Sequence, residues 1–326
     1  MEKKYWSLVI AAGISFSSCK NGVGSTVAHS VAGATQQQLT KDSKLQFALQ
    51  LVQGAKYNYT TTTETTIDLE VENKKVKKVS NATIGLLYEV LQAAPDSTVI
   101  KLTYNKIHLE IINNDEKQVI DADKTGDEQM AIDNLMSEIK GSSLWLTMNS
   151  KGKIVKVTGG KEITDKVLKA VAFYNDEKLT QTIKAELSKL TGDEFVQTTL
   201  AGAYSFYPDT AIVPGQSWSK KGLAKKALQP DVVTKYTLNS IDDGIASIDL
   251  ESNYKSDGTI KQLNLLGEKV QADLSQKTTG SIEVELATGI LQQGQWKSNI
   301  DGTIEVMGRV VPVELTVKKS VSIKKI

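Results

Sequence analysis

Hydrophobic positions recur at every second residue over most of the chain. Leu45, Phe47, Leu49 and Leu51 alternate with Gln46, Ala48 and Gln50. Tyr57 and Tyr59 lead into a Thr-rich run, and Ile67, Leu69 and Val71 alternate with Asp68, Glu70 and Glu72. A period of two sets one face on a core and the other in water, which marks antiparallel sheet. Residues 99–104 and 107–111 read as two further strands. Asn73-Lys74-Lys75 and Ala94-Pro95-Asp96 read as turns.

The period then changes. Ile132, Leu135, Met136 and Ile139 fall on one helical stripe. Ile163, Val167, Ala170, Val171 and Tyr174 make a second, and Leu179, Ile183, Leu187 and Leu190 a third. Each predicts an amphipathic helix that must bury one face. Between the first two stripes, residues 144–157 predict a hairpin with Gly152 in the left-handed position. From Trp218 the period returns to two. Residues 232–241 and 245–254 flank Asp242-Asp243-Gly244, a strong hairpin turn. Ile282, Val284 and Leu286 alternate with acids ahead of Thr288-Gly289, and Gly308 separates residues 304–307 from 311–317.

These patterns predict an α+β fold: mostly antiparallel curved sheet, in one piece or two, with about three amphipathic helices on the concave side. The expected organisation is a signal peptide (1–18), a flexible tether (19–42), an N-terminal α+β region (43–200) and a C-terminal antiparallel region (201–326). Residues 201–217 are the candidate junction.

The N-terminus changes the picture. Lys3 and Lys4 precede the apolar run SLVIAAGISF, and Phe16-Ser17-Ser18 precede Cys19, the one cysteine of the chain. A basic segment, about ten apolar residues and a small-residue site describe an export signal. The run is well short of the roughly 20 residues that span a bilayer. The ending resembles bacterial lipoprotein signals, with Phe16 where Leu is more usual. That resemblance makes Cys19 the expected site of lipid attachment and the membrane the expected partner through that lipid. With one cysteine, an internal disulfide is excluded. Removal of residues 1–18 takes away Glu2, Lys3 and Lys4 and leaves a formally neutral chain. Neutrality with interspersed signs argues against nucleic acid as a partner.

"FYPDTAIVPGQSW" (206–218), "GSIEVELATG" (280–289) and "IDGTIEVMG" (300–308) carry a family resemblance. Together they resemble a family of uncharacterised Bacteroidota lipoproteins, known as a domain of unknown function. Pro208, Ile212, Gly215 and Trp218 match its pattern, and Pro214 departs from it. Pro214-Gly215 suits the centre of a type II turn. These are turn and strand motifs, and the family brings no catalytic residue to carry over.

Catalytic chemistry finds little material. His29 and His108 are the only histidines. His29 lies in the tether, and His108 faces away from Ile107 and Leu109 on a strand. No Cys/His zinc set, HExxH or G-x-S-x-G stands in the chain. "GVGST" (22–26) lacks the lysine of a phosphate loop. Residues 113–117 and 121–128 are acid-rich loops, and the second departs from an EF-hand loop at Gly126 and Glu128. Asp96-Ser97-Thr98 and Asp209-Thr210-Ala211 fit a short O-glycan pattern, placing candidate glycans on Ser97 and Thr210.

No catalytic residue, metal or cofactor is expected. The leading expectation is a lipid-anchored envelope protein, at the periplasmic face of the outer membrane, that binds an apolar or amphipathic ligand without catalysis. Ile132, Leu135, Val167, Val171 and Ile183 are the candidate lining, with plain core as the competing role. The alternatives are a structural subunit that meets another envelope protein and, more weakly, a carboxylate-dependent hydrolase.

Overall fold

The computed structural model describes residues 44–71, 74–114, 116–124, 131–171, 206–221, 232–255, 261–265, 268–306 and 308–326. The strands are β1 (Lys56–Val71), β2 (Lys74–Ala94), β3 (Ser97–Asn113), β4 (Glu116–Asp121), β5 (Ser143–Met148), β6 (Ile154–Thr158) and β7 (Ser217–Lys221), followed by β8 (Val233–Asp242), β9 (Ile245–Tyr254), β10 (Lys261–Leu265), β11 (Glu268–Glu285), β12 (Leu291–Val306) and β13 (Arg309–Lys325). Helices α1 (Ala131–Ile139) and α2 (Gly160–Val171) lie on either side of the β5–β6 hairpin.

All thirteen strands belong to one antiparallel sheet in the order β6-β5-β3-β2-β1-β13-β12-β11-β9-β8-β7, with β4 on β3 and β10 on β11. The first and last strands pair at its centre over Tyr57↔Lys325 to Leu69↔Val313. Strands of the N-terminal and C-terminal regions thus share one sheet.

The helical share of the expected α+β fold is corrected. Of the described residues, 68% are strand and 9% helical, in two helices. The predicted third helix, at 179–190, lies outside the described residues. The physical reason is the length and curl of the strands. A sheet that rolls onto its own apolar face needs little helical cover. α1 packs on α2 and against β4, so the pair serves one corner only.

The curl can be measured through one segment. From β6 to β7 there are ten inter-strand steps, about 48 Å if the sheet were flat. Leu45 exchanges hydrogen bonds with Ile212, just ahead of β7, at 2.7 and 2.9 Å. Leu49 N–H donates to Ser150 O, in the β5–β6 turn, at 2.7 Å. Four extended residues reach at most about 14 Å. The two edges of the sheet therefore converge at this end, and residues 45–51 strap them together. The period-two alternation expected there is present: Leu45, Phe47, Leu49 and Leu51 are buried. As a strand it is corrected, because a single bridge, Leu45↔Ile212, is all its pairing.

Two further strand readings change. Residues 97–113 form one strand, with a register shift opposite Gly85/Leu86 where two strands were expected. Lys74 and Lys75 open β2 instead of lying in a turn. The turns at Gly152, Gly215, Gly244 and Gly308 all take positive φ as their types require. Asp243, at φ 47°, completes the paired left-handed conformation of the β8–β9 turn.

Candidate functional site

The concave face can be read level by level, because register places residues side by side. Nearest the strap lies a large apolar cluster. It joins Phe47, Tyr59, Tyr88, Tyr104, Leu144, Phe206 and Val284 with the buried faces of α1 and α2. Phe206 and Tyr207 meet edge to face at 4.8 Å, and Phe47 packs on both. A second cluster lies further along the strands: Ile67, Ala272, Ile300, Ile304, Val311, Val313, Leu315 and Val317.

Where the first cluster gives way to the second, the inward residues turn partly polar, although Ala82 and Tyr236 still belong to the first cluster and Val317 to the second. One level runs Ala82, Thr63, Lys319, Trp296, Gly280, Leu250, Tyr236 and Trp218 across eight strands. The next runs Ser80, Thr65, Val317, Ser298, Thr278, Ser252 and Thr234. Every hydroxyl of this second row is buried. Thr278 Oγ1 lies 2.8 Å from Ser298 Oγ and accepts from Gln276 Nε2 at 2.9 Å. Ser252 Oγ is buried with no hydrogen-bond partner. Tyr59 Oη and Thr61 Oγ1 neighbour each other without reaching hydrogen-bond geometry. Burial of a hydroxyl without a partner is costly, so such groups mark a site or a trapped solvent position.

Lys319 is the electrostatic centre of this band. Its Nζ sits 5.5 Å from the centroid of the Trp296 ring, within cation–π range. The residue as a whole remains partly exposed, while its ammonium is desolvated. Burial pulls its pKa from the ordinary 10.5 down to about 8. Lys78, on β2, points into the same face opposite Ile67, and burial lowers its pKa as well. Neither ammonium makes an ion pair with a described carboxylate. Another inward lysine, Lys220, is held by Asp209 at 2.7 Å. Among the described residues, the unneutralised charge of the concave face is positive.

The convex face is different. Asn58, Thr60, Thr62, Glu64, Thr66 and Asp68 line it on β1, with Lys297, Asn299 and Asp301 on β12. A lipid-facing barrel wall would need an apolar band there. A shallow groove of about 430 Å³ crosses this face by Thr62, Glu64, Gln295, Lys297 and Lys318, but Lys318 is already bonded to Glu64 at 2.7 Å.

The sequence-nominated residues fall elsewhere. Leu135 and Val167 are buried in the first cluster and Ile132 packs against it. Val171 ends α2, and Ile183 and Cys19 lie outside the described residues. Ser97 opens β3 beside the Pro95–Asp96 turn, half-buried, and Thr210 is exposed in the loop before β7. His108 Nδ1 meets Asp121 Oδ2 at 2.8 Å on the convex face. No cluster of three metal-ligating side chains occurs among the described residues. Lys319 and the hydroxyl row escaped sequence reasoning, although a signal existed. Lys319 shares the inward phase of Val313, Leu315, Val317, Val321 and Ile323, and a cation in that phase is the anomaly to look for.

Residues 95–291 match the model of a family of unknown function, DUF6263, and the chain belongs to that family. The matched span runs from the β2–β3 turn to the first residue of β12. No curated protein matches the sequence. Among solved structures, one of lipovitellin, described by its lipid–protein interactions, is 10% identical with a TM-score of 0.45. The alignment covers 84% of this chain and 25% of that one, so the chain spans about a quarter of the lipovitellin chain. An outer membrane channel from Pseudomonas putida F1 is 8% identical, with a TM-score of 0.18 over 84% of this chain and 97% of that one. The OccK5 structure from Pseudomonas aeruginosa is 5% identical, with a TM-score of 0.19 over 83% and 98% of the two chains.

Proposed function

We propose that the protein is a non-catalytic binder of an amphipathic ligand, held on the concave face of the curled sheet. The observation that carries this reading is the sandwich of chemistries inside the curl. A polar level containing half-exposed Trp296 and Lys319 lies between two apolar clusters. An apolar tail gains by burial against aliphatic side chains, and a polar head gains from hydroxyls and ammonium groups at one fixed level. A wholly apolar ligand would leave those groups without partners. Export, lipid attachment at Cys19 and residence on the periplasmic face of the outer membrane belong to the same proposal, as does its relation to Bacteroidota lipoproteins. Their support is the N-terminal pattern that ends at Cys19.

The test uses the exported Cys19→Ala chain, purified without detergent. Solvent extraction and mass spectrometry should recover an amphipathic molecule near one per chain, and native mass spectrometry should show the matching mass increment. An empty chain that also fails to take up an added single-chain amphiphile would sink the proposal. Cell fractionation checks the anchor separately: the wild-type chain should sediment with membranes and Cys19→Ala should not.

A further inference from the structure

We infer that Lys319, flanked by Thr61, Thr63 and Ser298, anchors an anionic headgroup, carboxylate or phosphate, of the ligand that occupies the concave face. This inference rests on the amphipathic-ligand reading and sharpens it.

Register puts the four residues together. Lys319 on β13 stands directly opposite Thr63 on β1 and Trp296 on β12. Thr61 and Ser298 are its diagonal neighbours on the same face, one residue pair away on either side of that level. Hydroxyls and an ammonium are donors suited to an oxyanion. Trp296 supplies one flat wall. Gly280 and Gly294, directly beside it, let the indole lie close to the sheet: a Cβ on Gly280 would come within 2.5 Å of Trp296 Cβ. Beyond Thr63 the same level continues through Ala82, Leu109 and Ile120.

The charge balance points the same way. A desolvated ammonium without a carboxylate is expensive to keep. Two such groups, Lys319 and Lys78, share this face, and Asp209 neutralises only Lys220. An incoming anion would supply a partner that no described carboxylate supplies. A neutral head such as an alcohol or a sugar would satisfy the hydroxyls and leave the lysines as they are. A cationic head would be repelled.

Three probes with one tail decide the matter: dodecanoate, dodecyl phosphate and dodecanol, titrated into the ligand-stripped Cys19→Ala chain by calorimetry at pH 7. The inference expects at least one anion to bind about tenfold or more tighter than the alcohol. Lys319→Met should remove that preference while leaving dodecanol affinity within about twofold, and Lys319→Arg should retain it. The better anion names the source, a fatty acid or a phosphate-bearing lipid. Equal binding of acid, phosphate and alcohol overturns the inference and leaves the amphipathic reading standing. So does an undiminished preference in Lys319→Met. Binding of none of the three removes both. Circular dichroism of the variants guards against misfolding, which a methionine in place of a buried ammonium should not provoke.

Discussion

The two apolar clusters are built differently, although one sheet carries both. At the strapped end, large side chains from distant strands interlock. Phe47, Phe206 and Tyr207 pack together, Tyr59 stacks on Tyr88 at 5.4 Å, and backbone bonds from the strap reach both edges of the sheet. In the second cluster, the described members are aliphatics of β1, β11, β12 and β13 alone, and the level beside them is lined by Ser and Thr. Large interdigitated side chains fix a shape. Small hydroxyls and a partly exposed lysine have less side chain to interdigitate. The contrast locates stability at one level of the curl and, on the proposed reading, ligand binding at another.

The sharpest way to break that contrast is to release the strap. Gly289 lies at φ +71°, and a Cβ there would stand 2.1 Å from the carbonyl oxygen of Ala48. Tyr207 Oη donates to Gly289 O at 2.5 Å, which fixes the same turn. Gly289→Ala should cost at least about 3 kcal/mol, from backbone strain plus a clash with main chain that cannot give way. Gly141→Ala is the control. It has φ +80° and open space around its Cβ position, so it should cost only about 1–2 kcal/mol. Urea midpoints compare the two. Equal losses would mean that the strap is not a tight joint.

The next test concerns charge at the Lys319 level. Lys319 has a pKa near 8 in the folded chain against 10.5 when free. The unfolded chain therefore holds more protons between these values, and stability rises with pH across the window. The cost of the buried ammonium is full below about pH 8 and fades as pH approaches 10.5. Relative to Lys319→Met, the wild-type chain should gain about 1–3 kcal/mol over that range, toward the lower figure because the residue is partly exposed. The groups flanking Lys319 are Thr61, Thr63, Ser298 and Trp296, none of which titrates there. Lys78 and the inward tyrosines are shared by both chains and cancel. A flat difference would place the ammonium in water.

Much of this architecture is legible in local pattern. The alternation along β8, β9 and β13, the turn at Asp243-Gly244 and the stripes of α1 and α2 each state their own element. What local pattern omits is partner choice. Nothing in residues 45–51 distinguishes a strand from a strap, since both bury every second side chain. Nothing local says that β1 and β13 pair, because that contact joins the two ends of the described chain. Helical stripes at 132–139 and 163–174 are legible at once, whereas nothing local tells how far a strand runs, so the pattern overstates the helical share. The hydroxyl-lined level is hidden for a simpler reason. Thr61, Thr63, Thr65, Thr278 and Ser298 look like solvated strand positions until their phase is compared with that of Tyr59, Ile67, Ile282 and Ile300.

The smallest predicted effect separates two hydroxyls of one row. Thr278 Oγ1 is bonded to both Ser298 and Gln276, whereas Ser252 Oγ, the directly opposed position on β9, is buried without a partner. Thr278→Val keeps shape but strips two groups of a bond, and should cost about 1–2 kcal/mol. Ser252→Ala removes a hydroxyl without a partner among the described residues, so stability should move by less than about 0.5 kcal/mol in either direction. Denaturant midpoints of ligand-stripped protein measure both. A Ser252→Ala loss as large as that of Thr278→Val would mean that the row is uniformly bonded and structural. A null effect on stability, joined to weaker retention of the extracted amphiphile, would mean that Ser252 is left unpaired for the ligand to satisfy.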